Sequence, residues 1–209
     1  MTPEFLFFLL WVKIPIVLLV VLRTWNGRTK KTPFLPQCSK GRFYERVAPS
    51  KSAAWEALGI QDLLRLSHFS TSTLPWMIRA VTFFWNRTTN NFHLPCGMIG
   101  MSLLDVAAIT GHPISPPDFT SDMQPKQQYN ITPTTSYNDF IVHHMGAEGS
   151  PITDDEHVAF LFHWLNAIIF YSRMVQMQKL FVPLATLLHE GNNLNSAKLL
   201  LGNIFEELG

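Results

Sequence analysis

The apolar positions of the chain change their spacing from segment to segment, and each change predicts an element. Phe5 to Leu22 is an almost unbroken apolar run with Lys13 near its middle, and it approaches the roughly 20 residues that span a bilayer. A central lysine opposes insertion by about 2.5–3.5 kcal/mol, which several Leu, Phe and Val at about −0.3 to −0.6 kcal/mol each offset. The run is therefore read as a possible transmembrane helix, and the basic flank after Leu22 would keep the rest cytoplasmic. The competing reading is a segment foreign to the domain, joined by gene fusion or a misassigned exon. No basic residue precedes the run and no small-x-small site follows it, which argues against a cleaved signal peptide.

Beyond residue 51 the spacing becomes helical. Trp55, Leu58, Leu63 and Leu66 place a helix over Ser52–Leu66 that Gly59 can split, and Ile78, Val81, Phe84 and Trp85 form an apolar stripe over Leu74–Trp85. Phe92, His93, Leu94 and Pro95 alternate as an edge strand does and stop at proline, after which Gly97 and Gly100 permit a tight reversal. Ser102 and Asp105 have the spacing of a capping box, so a helix starts after Ser102 and is closed by Gly111 and Pro113. Pro116–Ser136 is polar and proline-rich, a loop. Thr153 and Glu156 form a second capping box, and Val158, Leu161, Phe162, Leu165, Ile168, Ile169 and Ser172 then make a core-facing stripe. Gln176–Leu188, restarted at Pro183 and ended by Gly191, and Ala197–Leu208 are the last helices. The predicted fold is mainly α: a helical domain with one small β-hairpin, preceded by the apolar segment.

Composition alters this picture in two respects. Of 209 residues, 47% are hydrophobic and 15% charged, an apolar bias to which the first 25 residues contribute. The net charge of +1 conceals an asymmetry, because Arg23, Arg28, Lys30, Lys31, Lys40, Arg42, Arg46 and Lys51 face only Glu45 while the remainder is acidic. The expected organisation is a hydrophobic anchor over 1–25, a basic linker over 26–51 and a domain over 52–209. The domain lacks the clustered Lys/Arg of a nucleic-acid face. Cys38 and Cys96 provide neither a disulfide framework nor a metal spacing, and a reducing compartment is the default. The glycosylation patterns at Asn86 and Asn130 are then chance matches.

The block from Asn91 to Gly111, with Trp85 before it, resembles the core of the plant mobile domain family, also labelled aminotransferase-like and related to the maintenance-of-meristems proteins. The resemblance continues through Ile152–Phe160, Leu187–Gly191 and Leu199–Gly202, with Leu58–Leu66 as a glycine-led first helix, and covers about Trp55 to Gly209. Many members carry glutamate where this chain has Met98, which suggests the transposon-associated branch. Family domains normally run further, so the resemblance implies an N-terminal portion whose last helices expose apolar surface. It also implies a nuclear protein in meristem maintenance and transposon or gene silencing, with protein partners that include a phosphatase module. The residues that carry the resemblance, Trp85, Phe92, His93, Leu94, Pro95, Gly97, Asp105, Gly111, Thr153 and Glu156, are expected to be structural.

Catalytic chemistry finds little support in the residues. His157 and His163 are six apart, about 240° around a helix, and do not form the i, i+4 pair of a helical zinc site. With His143, His144, Asp154, Asp155 and Glu156 they are the main concentration of titratable groups, yet the acids already have a task at the helix start. A pyridoxal phosphate enzyme needs a Schiff-base lysine beside a phosphate cup; Lys126, Lys179 and Lys198 adjoin no glycine-rich loop. Neither a Walker loop nor a Gly-x-Ser-x-Gly elbow is present. No catalytic residue, metal or cofactor is expected. Trp55, Trp76, Trp85 and Trp164 read as core or interface anchors. The reading is a non-catalytic interaction module; the alternatives are a membrane-anchored cytosolic adaptor, inserted through Phe5–Leu22, and an enzyme with an unrecognised site near His93 and His157.

Overall fold

A computed structural model describes residues 39–66, 82–110, 114, 124–134, 136–170 and 177–208. The architecture is helical with one small antiparallel sheet. In order, α1 (Ser39–Ala57) and α2 (Gln61–Leu66) precede β1 (Trp85–Asn86), β2 (Asn91–Leu94) and β3 (Gly97–Gly100); α3 (Leu103–Thr110), α4 (Tyr137–His144) and α5 (Asp154–Trp164) follow, then α6 (Val182–His189) and α7 (Ser196–Leu208). Among the described residues no helix is long and apolar enough to cross a membrane. The Phe5–Leu22 run lies outside them, as do Gly111, Pro113 and most of Leu74–Trp85.

The basic stretch expected to be a linker is, from Ser39 onward, the first helix of the fold. Phe43 and Val47 lie one turn apart and are fully buried, as is Trp55 two turns further on. Charged residues are interspersed with the apolar ones, Arg42 exposed and Arg46 and Lys51 half-buried, and this masked the apolar face in the sequence. Pro49 sits inside α1, where it removes one backbone donor without ending the helix. Gly59, with φ of 69°, does split the predicted Ser52–Leu66 helix, and its N–H closes the α1 end on the Glu56 carbonyl at 2.9 Å.

α5 is buried on every side from Glu156 to Trp164, not along a single stripe. It is the central element, with α1, α4 and α6 packed around it. At its C-terminal end a π-helical turn, Leu165–Ile169, widens the helix. The buried Asn166 side chain holds this exit: its amide donates to the Phe162 carbonyl at 2.9 Å and its oxygen accepts from the Gln178 N–H at 2.7 Å. A short 3-10 turn, Lys179–Phe181, then leads into α6, with Pro183 in the first turn and Gly191 beyond the end at φ of 83°.

A second apolar cluster joins the sheet to the C-terminal helix. Phe92, Met101, Val106, Ala197, Leu200 and Ile204 are buried together, with Trp85, Leu103 and Phe205 packed against them. α7 therefore buries an apolar face against the sheet and α3, whereas the resemblance implied that the last helices expose apolar surface.

Candidate functional site

The hairpin is the middle and outer part of a three-stranded sheet, ordered β1-β2-β3. Trp85 belongs to β1, opposite Phe92, and not to the end of the preceding helix. The helical spacing that included it continues only as far as Thr82–Phe83, because the next residues pair with β2: the His93 N–H donates to the Phe84 carbonyl at 2.8 Å. Alternation along the strands then sorts the side chains. Trp85, Phe92 and Ile99 share the inner face, where Trp85 meets Phe92 edge-on at 4.8 Å and stacks on Phe205 at 5.8 Å. His93 and Met98 face each other on the outer side.

The turn between β2 and β3 is Pro95–Cys96, and Gly97 beyond it has φ of 134°, a conformation that suits glycine. Gly100 is not part of the reversal. It pairs with Asn91, and a side chain there would collide with the Asn91 amide. The Asn86 side chain organises the β1–β2 turn by accepting from the Thr88 and Thr89 N–H groups at 2.9 and 3.2 Å. His93 is exposed, with Nε2 2.9 Å from the Thr89 hydroxyl, a contact that ties β2 to this turn. Leu94 packs against the second cluster. The α3 start forms the predicted reciprocal cap: Ser102 Oγ accepts from the Asp105 N–H at 3.2 Å, and the Ser102 N–H donates to the Asp105 carboxylate at 2.8 Å.

At the start of α5, Thr153 Oγ1 accepts from the Glu156 N–H at 3.2 Å, the predicted half of that cap. The Glu156 carboxylate does not reach back to complete the box. It is almost fully buried and is held by Arg46 of α1, with Nε at 2.5 Å and Nη2 at 3.1 Å, and by the Gly146 N–H at 3.0 Å. A buried carboxylate requires a paired cation and hydrogen bonds, and Arg46 provides a two-pronged one that a cap could not. Arg46 also donates to Ser150 Oγ at 2.9 Å, and a Cβ at position 146 would stand 2.6 Å from Arg46 Nη2, so a side chain there would displace the guanidinium end of this clamp. The Arg46 guanidinium is held above its ordinary range chiefly by its hydrogen bond to Glu156.

The histidines separate. His163 lies among Phe43, Tyr137 and Phe140; His143 is exposed, and His144 is half-buried, with Nε2 3.4 Å from the Thr132 carbonyl. Burial lowers the His144 pKa. His157 instead meets a residue to which the sequence reading assigned no role: its Nδ1 lies 2.7 Å from Nδ1 of His189, at the end of α6. Its other nitrogen, Nε2, accepts from the Trp55 indole N–H at 2.9 Å. Indole can only donate, so neutral His157 must carry its proton on Nδ1. His189 Nδ1 is then the acceptor and its proton sits on Nε2, 3.7 Å from Asp154, which is itself 3.6 Å from Lys51. Two nitrogens joined by a proton are a hydrogen bond, not a pair of lone pairs open to a metal ion. Desolvation first, then the neighbouring His189 and Lys51, pushes the His157 pKa down to about 3. Burial also lowers His189, against the pull of Asp154.

Trp85, Phe92, Leu94 and Asp105 thus gather in the sheet–α3–α7 unit, whereas Thr153 and Glu156 lie at the head of α5. The family model of the plant mobile domain matches residues 59–209, a range that contains both groups. The chain belongs to the plant mobile domain family. Comparison with curated proteins and with solved structures returned no match. The family match begins at Gly59, in the turn after α1, yet the Arg46 clamp and the Trp55 indole N–H both come from α1. Gly146 and His189 lie within the matched region, while one partner of each, Arg46 for Glu156 and Trp55 for His157, lies upstream of it. The spacing of Phe43 and Val47 within the basic stretch was the one signal that could have revealed them.

Proposed function

We propose that this plant mobile domain protein is a non-catalytic interaction module, and that the outer side of its sheet with the adjoining start of α3 is the surface that meets a protein partner. The observation that carries the reading is the exposure of large apolar side chains there. Phe83 is 84% exposed immediately before β1, Met98 70% on β3 and Leu104 65% on α3, while the inner face of the same sheet is packed against α7. Apolar exposure of this kind on a capped, rigid support suits a contact surface. The titratable groups of the domain favour the same reading: Glu156 and His157 have their hydrogen-bonding atoms engaged by Arg46, Gly146, Trp55 and His189, in clamp and packing roles.

Family membership supports placing the module in the nucleus, in transposon and gene silencing and meristem maintenance, with a phosphatase module among its partners. The test replaces Phe83 and Met98 by serine in the full chain and compares co-purification from plant nuclear extract with the thermal melt. Loss of identified partners at an unchanged melting temperature is expected. Retention of every partner by the double variant would remove the surface from consideration, and a turnover abolished by His157→Gln with partners intact would favour an enzyme.

A further inference from the structure

Three donors stand in line in the buried chain. The Trp55 N–H points at His157 Nε2, the His157 Nδ1–H at His189 Nδ1, and the His189 Nε2–H toward Asp154. Each ring nitrogen facing a neighbouring donor is already an acceptor, so one added proton on either ring sets donor against donor across less than 3 Å. The chain admits no relief by tautomer exchange, because turning His157 over would direct its N–H at the indole N–H. His189 is also a mooring point. Tyr129 stands edge-on to its ring at 5.1 Å, the Lys126 and Gln127 N–H groups donate to the adjacent Glu190 at 2.7 and 3.1 Å, and the Asn130 N–H donates to Asp155 at 3.3 Å. Segment 124–131 is a strap laid across the α5–α6 seam.

We propose that Trp55, His157 and His189 form a proton-operated latch that holds α6 and the 124–131 strap against α5 only while both rings are neutral. The charges facing His189 are Lys51 from α1, Asp154 and Asp155 from α5 and Glu190 beyond α6, and the Tyr129 ring from the strap stands edge-on to it. The carboxylates attract an added proton to His189, but the ring can accept it only by leaving His157. Protonation and release are therefore the same event.

The test is hydrogen exchange of the full chain at pH 7.5 and 5.5, corrected for the intrinsic pH dependence of exchange; this range lies above the ordinary carboxylate values. A freed histidine titrating near 6.5 raises the opening equilibrium of the 124–131 peptides about tenfold over this interval. Peptides from β2 and β3 stay unchanged. In His189→Gln the amide oxygen can accept from His157 and nothing at position 189 titrates, so the rise disappears. Equal strap protection at both pH values, or the same rise in His189→Gln, overturns the latch. Should that variant fail to fold, imidazole nitrogen NMR of the unaltered protein decides: protons on His157 Nδ1 and His189 Nε2 are expected at pH 7.5, and the opposite tautomers would overturn it.

Discussion

The surroundings of α5 and the sheet–α3–α7 unit bury comparable kinds of apolar side chain, but they are specified differently. Around α5 the apolar core is threaded by directional polar contacts from distant parts of the chain: Arg46 to Glu156, Trp55 to His157, His157 to His189 and Tyr137 to the Asn166 carbonyl. In the sheet unit the buried cluster is held by apolar packing, and its polar contacts include local ones at the Asn86 turn and the Ser102–Asp105 cap and neutral amide-to-carbonyl ones from Asn195 to Ile114 and from Asn203 of α7 to Ile169. Apolar packing tolerates adjustment, whereas a buried charge or a chain of assigned protons fails when one member is lost. The α5 region should therefore be the more fragile to single polar substitutions and to acid, and the sheet unit the more indifferent.

Arg46→Ala should show the contrast most strongly. It leaves Glu156 buried without its cation, a loss of about 3–5 kcal/mol. Denaturant unfolding should show the drop, with exchange protection lost first around α4, α5 and α1; a loss below 1 kcal/mol would mean that the clamp adds little beyond what water supplies.

Trp55→Phe keeps most of the ring packing and removes the N–H that assigns the His157 tautomer. About 1–3 kcal/mol should be lost, because His157 Nε2 becomes a buried acceptor without a donor. The pH dependence sharpens the comparison. His157 is held neutral when folded, with its pKa pushed down to about 3, so its contribution is complete above the unfolded value near 6.5 and declines as pH falls from there toward 3. His189 shifts in the same direction. Melting curves between pH 7.5 and 5.5 should fall for the unaltered protein, while exchange protection in the sheet unit stays level.

Asp105→Ala should have the smallest effect, about 1 kcal/mol, since it removes an exposed cap from α3 and leaves the cluster beneath intact. Its loss should be the same at pH 7.5 and 5.5. A pH-dependent loss here would erase the distinction between the two regions.

How much of this was legible depended on the reach of each interaction. Thr153 capping Glu156, the Ser102–Asp105 box, the break at Gly59 and the end of α6 at Gly191 were all readable, because each joins residues within one turn. So was the strand at Phe92–Leu94. Trp85 was misplaced because the choice between helix and strand rested on its pairing with Phe92, not on its own neighbours. Glu156 was taken for a cap because local spacing shows Thr153 and hides Arg46, 110 positions upstream. The His93 contact with Thr89 is local, but the choice of partner required the turn geometry.

The sequence by itself determined the Ser102–Asp105 and Thr153 caps, the breaks at Gly59 and Gly191, which family the chain resembles, and that its apolar residues suffice for a helical core, since all of these follow from backbone propensity, capping and periodicity over a few residues. Tertiary structure alone decided that the basic stretch from Ser39 is part of the fold, that α5 is enclosed on all sides, and that His157 faces His189 and not His163. The physical reason is that burial and proton assignment belong to pairs of groups. A histidine acquires its tautomer from the indole that folding brings against it, and no residue near it in the chain carries that information.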